Sequence, residues 1–459
     1  MTVFSDSGNL FKMLWLWLLP LMLMSLQVRA QITPSDNIIS VDITMPQNIS
    51  YNYDSCFISC LNIGMRETGL HFLWKSSIET SPGVFNLSDF DIANEYYPGY
   101  QVSVNLAIDP IETNVNELPS DINTLPFNDT TVIKRFKTLL DSVFKHIPNL
   151  TLSSLVIGSE TDAYLGTDST RWAQYTNFFS IVSAYAKTLR PGLQVACETT
   201  YGGMTGAASK YIQAINVYSD YIGVSYYPLN PDYTAEPTEI VKTDFSNVVL
   251  QYPSKPVYYY QLGYPSGKSC NSSELQQSQF IQQVFQTWDI YAGHIKMINF
   301  EWLHDISYTS VEYYSNYYGV SDTVFLAYLG SLGLQTWNGN GTNKPAFIEL
   351  ECEAKQRGYN ALPVNCSNSG TEILNNFPDN PIMILYPNPV QNNLTVETSF
   401  DLINAEIRIY NLLGLEEKDI RDVQGKTINI EISDLPNGIY YLNLYYDNQC
   451  IVKYFIKSL

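Results

Sequence analysis

Between Ile38 and about Gly358, short apolar, β-rich runs alternate with longer segments whose apolar residues recur every three or four positions. The runs Ile38–Thr44, Leu70–Trp74, Gln101–Leu106, Leu152–Ile157, Leu193–Cys197, Tyr221–Ser225, Val257–Tyr260 and Ile295–Phe300 read as parallel strands buried on both faces. The intervening segments read as amphipathic helices. Val132, Phe136, Leu139, Leu140 and Val143 share one helical face, with Asp129 or Thr130 placed to cap its start. Trp172, Tyr175, Phe179, Val182 and Tyr185 mark a second helix, closed before Pro191, and Phe280, Ile281, Val284, Phe285 and Trp288 mark a third. Eight strands alternating with helices predict an α/β chain of the (β/α)8 TIM-barrel class. A doubly wound sheet is the runner-up, and the chain lacks its Gly-x-Gly-x-x-Gly turn.

Pro363 to Asn380 is rich in Asn, Ser and Pro and reads as a linker. Beyond it the period changes to two: Leu394–Glu397, Ile407–Tyr410, Ile428–Ile432, Tyr440–Tyr445 and Val452–Ile456 are separated by turn signals at Pro387–Pro389, Leu413–Gly414 and Pro436–Gly438. This predicts a small all-β, immunoglobulin-like sandwich. At the other end, Lys12 precedes an apolar stretch from Met13 to Leu26, and Val28 and Ala30 suit cleavage before Gln31. With Pro20 inside, that stretch falls short of the roughly 20 residues a membrane-crossing helix needs. The expected division is therefore 1–30 signal peptide, 31–360 barrel, 361–380 linker and 381–459 tail, with export and no membrane span.

Charge and composition narrow the function classes. The 459 residues carry a formal net charge of −20, which argues against nucleic acid and anionic membrane surfaces as partners. Four histidines, with no His-x-x-x-His pair, argue against a His-rich metal centre, and nothing indicates a cofactor. Cys56 and Cys60, one helical turn apart, suit buried thiols, whereas Cys352 and Cys366 flank a loop and could pair in an oxidising compartment. The 35 tyrosines can build a core or line a wet groove. The pairs Tyr313–Tyr314 and Tyr317–Tyr318 are expected to pack a surface loop.

The tail carries specific motifs. Leu385-Tyr-Pro-Asn-Pro-Val390 opens it, Ile407-Arg-Ile-Tyr-Asn-Leu-Leu-Gly414 and Leu435-Pro-Asn-Gly-Ile-Tyr-Tyr441 follow, and Val452-Lys-Tyr-Phe-Ile-Lys457 closes it. In this order and spacing it resembles the type A C-terminal sorting domain of the type IX secretion system. The resemblance implies recognition by that machinery and a secreted or cell-surface destination.

In a barrel of this class, functional side chains sit at the carboxyl ends of the strands. Those ends here carry Ser159-Glu160, Glu198, Tyr226-Tyr227, Gln261 and Glu301-Trp302. Two carboxyl groups facing each other are the usual equipment for cleaving a glycosidic bond, and Trp74, Tyr226, Tyr227 and Trp302 could stack on sugar rings. Trp74-Lys-Ser-Ser-Ile-Glu79 with Pro82-Gly83, Gly158-Ser-Glu160, Tyr226-Tyr-Pro228 and Gly263-Tyr-Pro-Ser266 resemble the clan A glycoside hydrolases, which include β-galactanases and β-1,3-glucanases. The resemblance implies that Glu160 is the acid/base, that Ser159 stands where the clan has a hydroxyl-binding Asn, and that Gln261 stands where it has its nucleophilic glutamate. A neutral amide supplies no anionic oxygen to attack the anomeric carbon. Glu301 or Glu198 would have to substitute, with Asp305 third. The expected function is a secreted, glycoside hydrolase-like protein acting on a β-linked polysaccharide or oligosaccharide. The alternative is a catalytically impaired carbohydrate-binding barrel.

Overall fold

The structure, a computed structural model, describes residues 37–48, 50–359, 366, 383–411, 416–446 and 449–458. The expected signal segment, 1–30, lies outside them.

Eight parallel strands form the barrel: β1 (Ile38–Val41), β2 (Glu67–Leu73), β3 (Ser103–Glu112), β4 (Leu152–Ser159), β5 (Gln194–Ala196, continued past Cys197 by Glu198–Thr200), β6 (Ile222–Tyr226), β7 (Val257–Leu262) and β8 (Ile295–Phe300). The pairing runs β2-β3-β4-β5 and then β5-β6-β7-β8-β1. The last and first strands pair in parallel register, Ile38 opposite Met297 and Val41 opposite Phe300. The β1–β2 seam is held by Arg66 N–H to Ile39 O (3.2 Å) and by Ser40 Oγ–H to Glu67 O (2.9 Å), which completes the ring.

Helices follow the strands: α1 (Tyr53–Ile63), α2 (Ser88–Tyr96), α3 (Thr130–His146), α4 (Ser169–Leu189), α5 (Ser209–Ile215), α6 (Ile240–Gln251) and α7 (Glu274–Tyr291). The chain after β8 makes a long excursion through α8 (Tyr308–Tyr318) and α9 (Thr323–Leu329) before α10 (Pro345–Gln356) returns to the helical layer. The predicted faces are the buried ones. Val132, Phe136, Leu139, Leu140 and Val143 of α3 are all buried, and Asp129 caps the helix by accepting from Thr131 N–H at 2.7 Å. Cys352 and Cys366 form a disulfide, while Cys56 and Cys60 are buried free thiols.

The tail is antiparallel. It comprises β9 (Met383–Tyr386), β10 (Asn393–Asn411), β11 (Glu416–Glu431), β12 (Gly438–Tyr446) and β13 (Gln449–Lys457). The long β10 serves both halves of the sheet. Its first residues pair with β9 and its last with β12, and β11 follows it throughout. A bridge between Val390 and Lys457 brings the two edges together around a separate core of Leu394, Val396, Ile407, Ile409, Leu442 and Phe455.

Candidate active site

Strand residues point alternately out to the helices and into the ring. On the inner side Gly69 and Ala107 fill little space, and a cavity of about 620 Å³ runs from the barrel interior to its carboxyl mouth. Six carboxyl groups line it: Asp42, Glu67, Glu112, Glu160, Glu198 and Glu301. His71 also lines it, and no lysine or arginine does among the described residues.

Glu160 follows β4 directly, with φ of 44°, in the left-handed region. Ser225 Oγ–H donates to its Oε1 (2.6 Å) and Thr113 Oγ1–H to its Oε2 (2.9 Å). Thr113, Tyr233 and Trp302 also have positive φ and also line the cavity. Uncommon backbone conformations at non-glycine residues concentrate where a fold holds functional side chains in place.

Gln261 lies within a polar chain. Tyr227 O–H donates to its Oε1 (2.9 Å), its Nε2–H donates to Ser159 Oγ (3.3 Å), and Ser159 Oγ–H donates to Glu198 Oε2 (3.1 Å). Both ends of the amide are therefore fixed. Glu198 is buried and its second oxygen accepts no hydrogen bond. Burial first, and the charge of Glu160 second, hold its carboxyl well above the usual carboxylate range. Glu301 is raised too, by burial and then by Asp42, with which it shares a hydrogen bond. Asp42 is raised by the same burial.

Trp302 lines the cavity, and its ring stacks on Tyr314 (centroids 5.9 Å apart) and through it on Tyr318. The tyrosine pairs expected in a surface loop thus lie on helix α8, with Tyr314 and Tyr318 forming part of the cavity wall. Their spacing of four places both rings on one helical face.

Seven of the nine expected site residues meet at or beside the cavity: Glu160, Gln261, Glu301, Ser159, Glu198, Tyr227 and Trp302. Two do not. Trp74 is fully buried outside it, where its Nε1–H donates to Glu79 Oε2 (2.9 Å) and its ring packs edge-on against Phe136. Tyr226 is buried in the helical layer and donates to Asp244 Oδ2 (2.8 Å). Neither can stack on a sugar in the mouth. Asp305 is a structural anchor, paired with the buried Lys344 at 2.7 Å and accepting from Gly333 N–H. Reading strand ends misses Asp42 on the first strand, His71 on the second, and Asp109 and Glu112 on the third. Glu112 lies one hydroxyl away from Glu160, its Oε1 being 3.4 Å from Thr113 Oγ1. Burial, with Asp109 and Glu160 nearby, pushes its carboxyl up to about 7.

Residues 384–458 match the family described as secretion system C-terminal sorting domain. The tail is a type IX sorting domain. A sorting domain of this kind implies a secreted or cell-surface protein. No helix among the described residues is long and apolar enough to cross a membrane. No curated protein sequence matches the chain.

Solved structures with the same barrel include several glycoside hydrolases. An FMN-binding β-glucuronidase from Facaelibacterium prausnitzii L2-6 aligns at 11% identity and a TM-score of 0.50, over 94% of this chain and 57% of that one. A GH5_18 protein from Bifidobacterium longum subsp. longum aligns at 14% identity and 0.53, over 72% and 81%. The exo-β-1,4-mannosidase Op5Man5 from Opitutaceae bacterium strain TAV5 aligns at 12% identity and 0.54, over 70% and 60%. The chain thus spans little more than half the length of the β-glucuronidase. At these identities the likeness is one of fold: a (β/α)8 barrel of the kind found in glycoside hydrolases.

Proposed function

We propose that this chain is an exported, carbohydrate-active barrel that hydrolyses a β-linked glycan, with Glu160 as the proton donor and, since Gln261 cannot be a nucleophile, Glu301 with Asp42 as the base that activates water. The supporting observation is that Glu160, Gln261 and Glu301 line one water-accessible cavity walled by stacked aromatic rings. Residues 31–360 would form the catalytic unit, 361–380 the linker and 381–459 the exported tail, with 1–30 as the signal peptide.

The chemistry follows from the groups present. Glu160, held by two hydroxyls, can deliver a proton to the glycosidic oxygen. Glu301 and Asp42 share a hydrogen bond in a buried setting, where two like charges cannot both persist. One of the pair keeps a proton and the other can take one from water. Attack by that water on the face opposite the leaving group inverts the anomeric centre. Gln261, fixed by Tyr227 and Ser159, would orient a sugar hydroxyl, Glu198 would accept from another, and Trp302 would lie against a ring face.

One observation favours binding without turnover: the amide of Gln261 is clamped at both ends where a nucleophile is expected. One experiment separates the two readings. The barrel is incubated with β-glucans, galactans and xylans and new reducing ends are measured. Activity in the native chain that falls about 10²–10⁴-fold in both Glu160→Gln and Glu301→Gln supports hydrolysis as described. Silence in the native chain with turnover in Gln261→Glu establishes the binding reading instead. Native activity that survives Glu160→Ala removes Glu160 from the mechanism. For the tail, deletion of 381–459 should hold the barrel in the periplasm, and normal release of the truncated chain would refute its assigned role.

A further inference from the structure

We propose that His71, Asp109 and Glu112 form a binding site for one divalent cation of the Mn²⁺ or Zn²⁺ kind, set in the cavity wall beside Glu160. The inference is independent of whether the barrel hydrolyses anything.

The three residues come from adjacent strands, His71 from β2 and the two carboxylates from the end of β3. One ligating atom from each lies within 4.8 Å of the other two. Glu112 is held with one oxygen engaged and one free. Its Oε1 accepts from Tyr318 O–H (3.2 Å), while its Oε2 accepts no hydrogen bond and faces His71 Nε2 at 3.6 Å. Asp109 is fully buried, and its carboxylate is engaged by His71 Nε2 and by the Gly158 N–H. A buried carboxylate oxygen left without a hydrogen bond is uncommon and costly, so Glu112 Oε2 calls for a partner. A second observation points the same way. Glu198 is 3% exposed and lines the same cavity, and its Oε1 accepts no hydrogen bond.

Charge leads to the same conclusion. One imidazole faces two carboxylates, with Glu160 and Glu198 in the same cavity and no lysine or arginine among its described lining residues. A divalent cation on a neutral imidazole balances the pair of carboxylates and needs no further counter-charge. The coordination would be one-sided. Asp109 lies behind, while His71 and Glu112 border the cavity, which leaves the outward positions to water or to paired sugar hydroxyls. One nitrogen with two carboxylates suits Mn²⁺ or Zn²⁺ better than Ca²⁺, which favours six to eight oxygens.

The test uses the full exported chain, stripped with a chelator and titrated calorimetrically with MnCl₂, ZnCl₂ and CaCl₂. We expect one Mn²⁺ or Zn²⁺ per chain, with affinity at least roughly tenfold weaker in His71→Gln and in Glu112→Gln. Binding should be retained within about twofold in Tyr226→Phe, a substitution outside the cavity. Bound Mn²⁺ should show nitrogen coupling in pulsed EPR, and that coupling should vanish in His71→Gln. Circular dichroism and melting of each variant establish that it is folded, and Asp109→Asn provides a third variant should one of the first two fail. No binding up to about 1 mM in the native chain would leave His71 and Asp109 as a plain ion pair and overturn the proposal. Undiminished binding in the folded ligand variants, or a Mn²⁺ signal without nitrogen coupling, would overturn it equally.

Discussion

Carboxylates on the two faces of the barrel wall are treated in opposite ways at Glu79 and Asp244 outside and at Glu67, Glu198 and Glu301 inside. On the outer face, between strands and helices, the carboxylates of Glu79 and Asp244 accept on both oxygens. Tyr226 O–H meets Asp244, Trp74 Nε1–H meets Glu79, and the side-chain amide nitrogen of Gln277 reaches the carbonyls of Tyr264 and Leu332, both at 2.9 Å. On the inner face Glu67, Glu198 and Glu301 each leave an oxygen unpaired. Tyr226 and Tyr227, neighbours in sequence, fall on opposite sides of this divide. Glu79 and Asp244 are satisfied by folding, whereas the inner carboxylates still have hydrogen-bonding capacity to offer a ligand; Tyr259 O–H and Gln277 Oε1 are unpaired exceptions outside.

This contrast can be broken first at Glu79. Its carboxylate accepts from Trp74, Gly83 N–H and Arg135 at once. Glu79→Ala strands all three donors and should cost about 3–5 kcal/mol in a denaturant titration of the barrel. A loss below about 1 kcal/mol would mean that pairing of Glu79 contributes little to the outer layer. The adjacent tyrosines give a smaller and sharper comparison. Tyr226→Phe removes a buried donor from Asp244 and should cost about 1–3 kcal/mol with glycan binding unchanged. Tyr227→Phe should change stability by less than about 1 kcal/mol yet weaken glycan binding, because it releases the amide of Gln261. Equal stability losses in the two variants would erase the distinction.

The mildest test is pH. Burial raises Glu67 from 4.5 to about 7 and Asp162 from 3.8 to about 7. The folded chain keeps protons there that the unfolded chain releases, so stability falls as pH rises from about 4 to about 7 and then levels. Calorimetric melting should come a few °C higher at pH 5 than at pH 8. Glu67→Gln should flatten part of that slope, and an unchanged slope would remove Glu67 from the account.

The fold is legible in the sequence because the signals that build it are local. Each of the eight apolar runs corresponds to a strand, and Asp129 before Val132 marks a helix start. The site is less legible. The strand predicted from the sequence ends at Leu106, although Ala107 and Ile108 extend the apolar run, because Asp109-Pro110 looks like a turn. The strand in fact continues to Glu112, with a register shift between Ile108 and Glu112, and so carries Glu112 to the cavity with Asp109 behind it. Sequence position alone puts Trp74 and Tyr226 at the mouth. Which side of the wall a ring faces depends on strand alternation at the carboxyl end, and Trp74 lies in a π-type turn beyond β2 where that alternation has stopped. Tyr314 and Tyr318 come from a helix far along the chain, placed over the mouth by tertiary packing that no local pattern encodes.

The covalent link between Cys352 and Cys366 joins the final barrel helix to the beginning of the segment that leads to the tail. Any cut made downstream of Cys366 would therefore release the sorting domain and leave the new terminus tied back to α10 rather than trailing free. The staple separates the lifetime of the address label from that of the parcel.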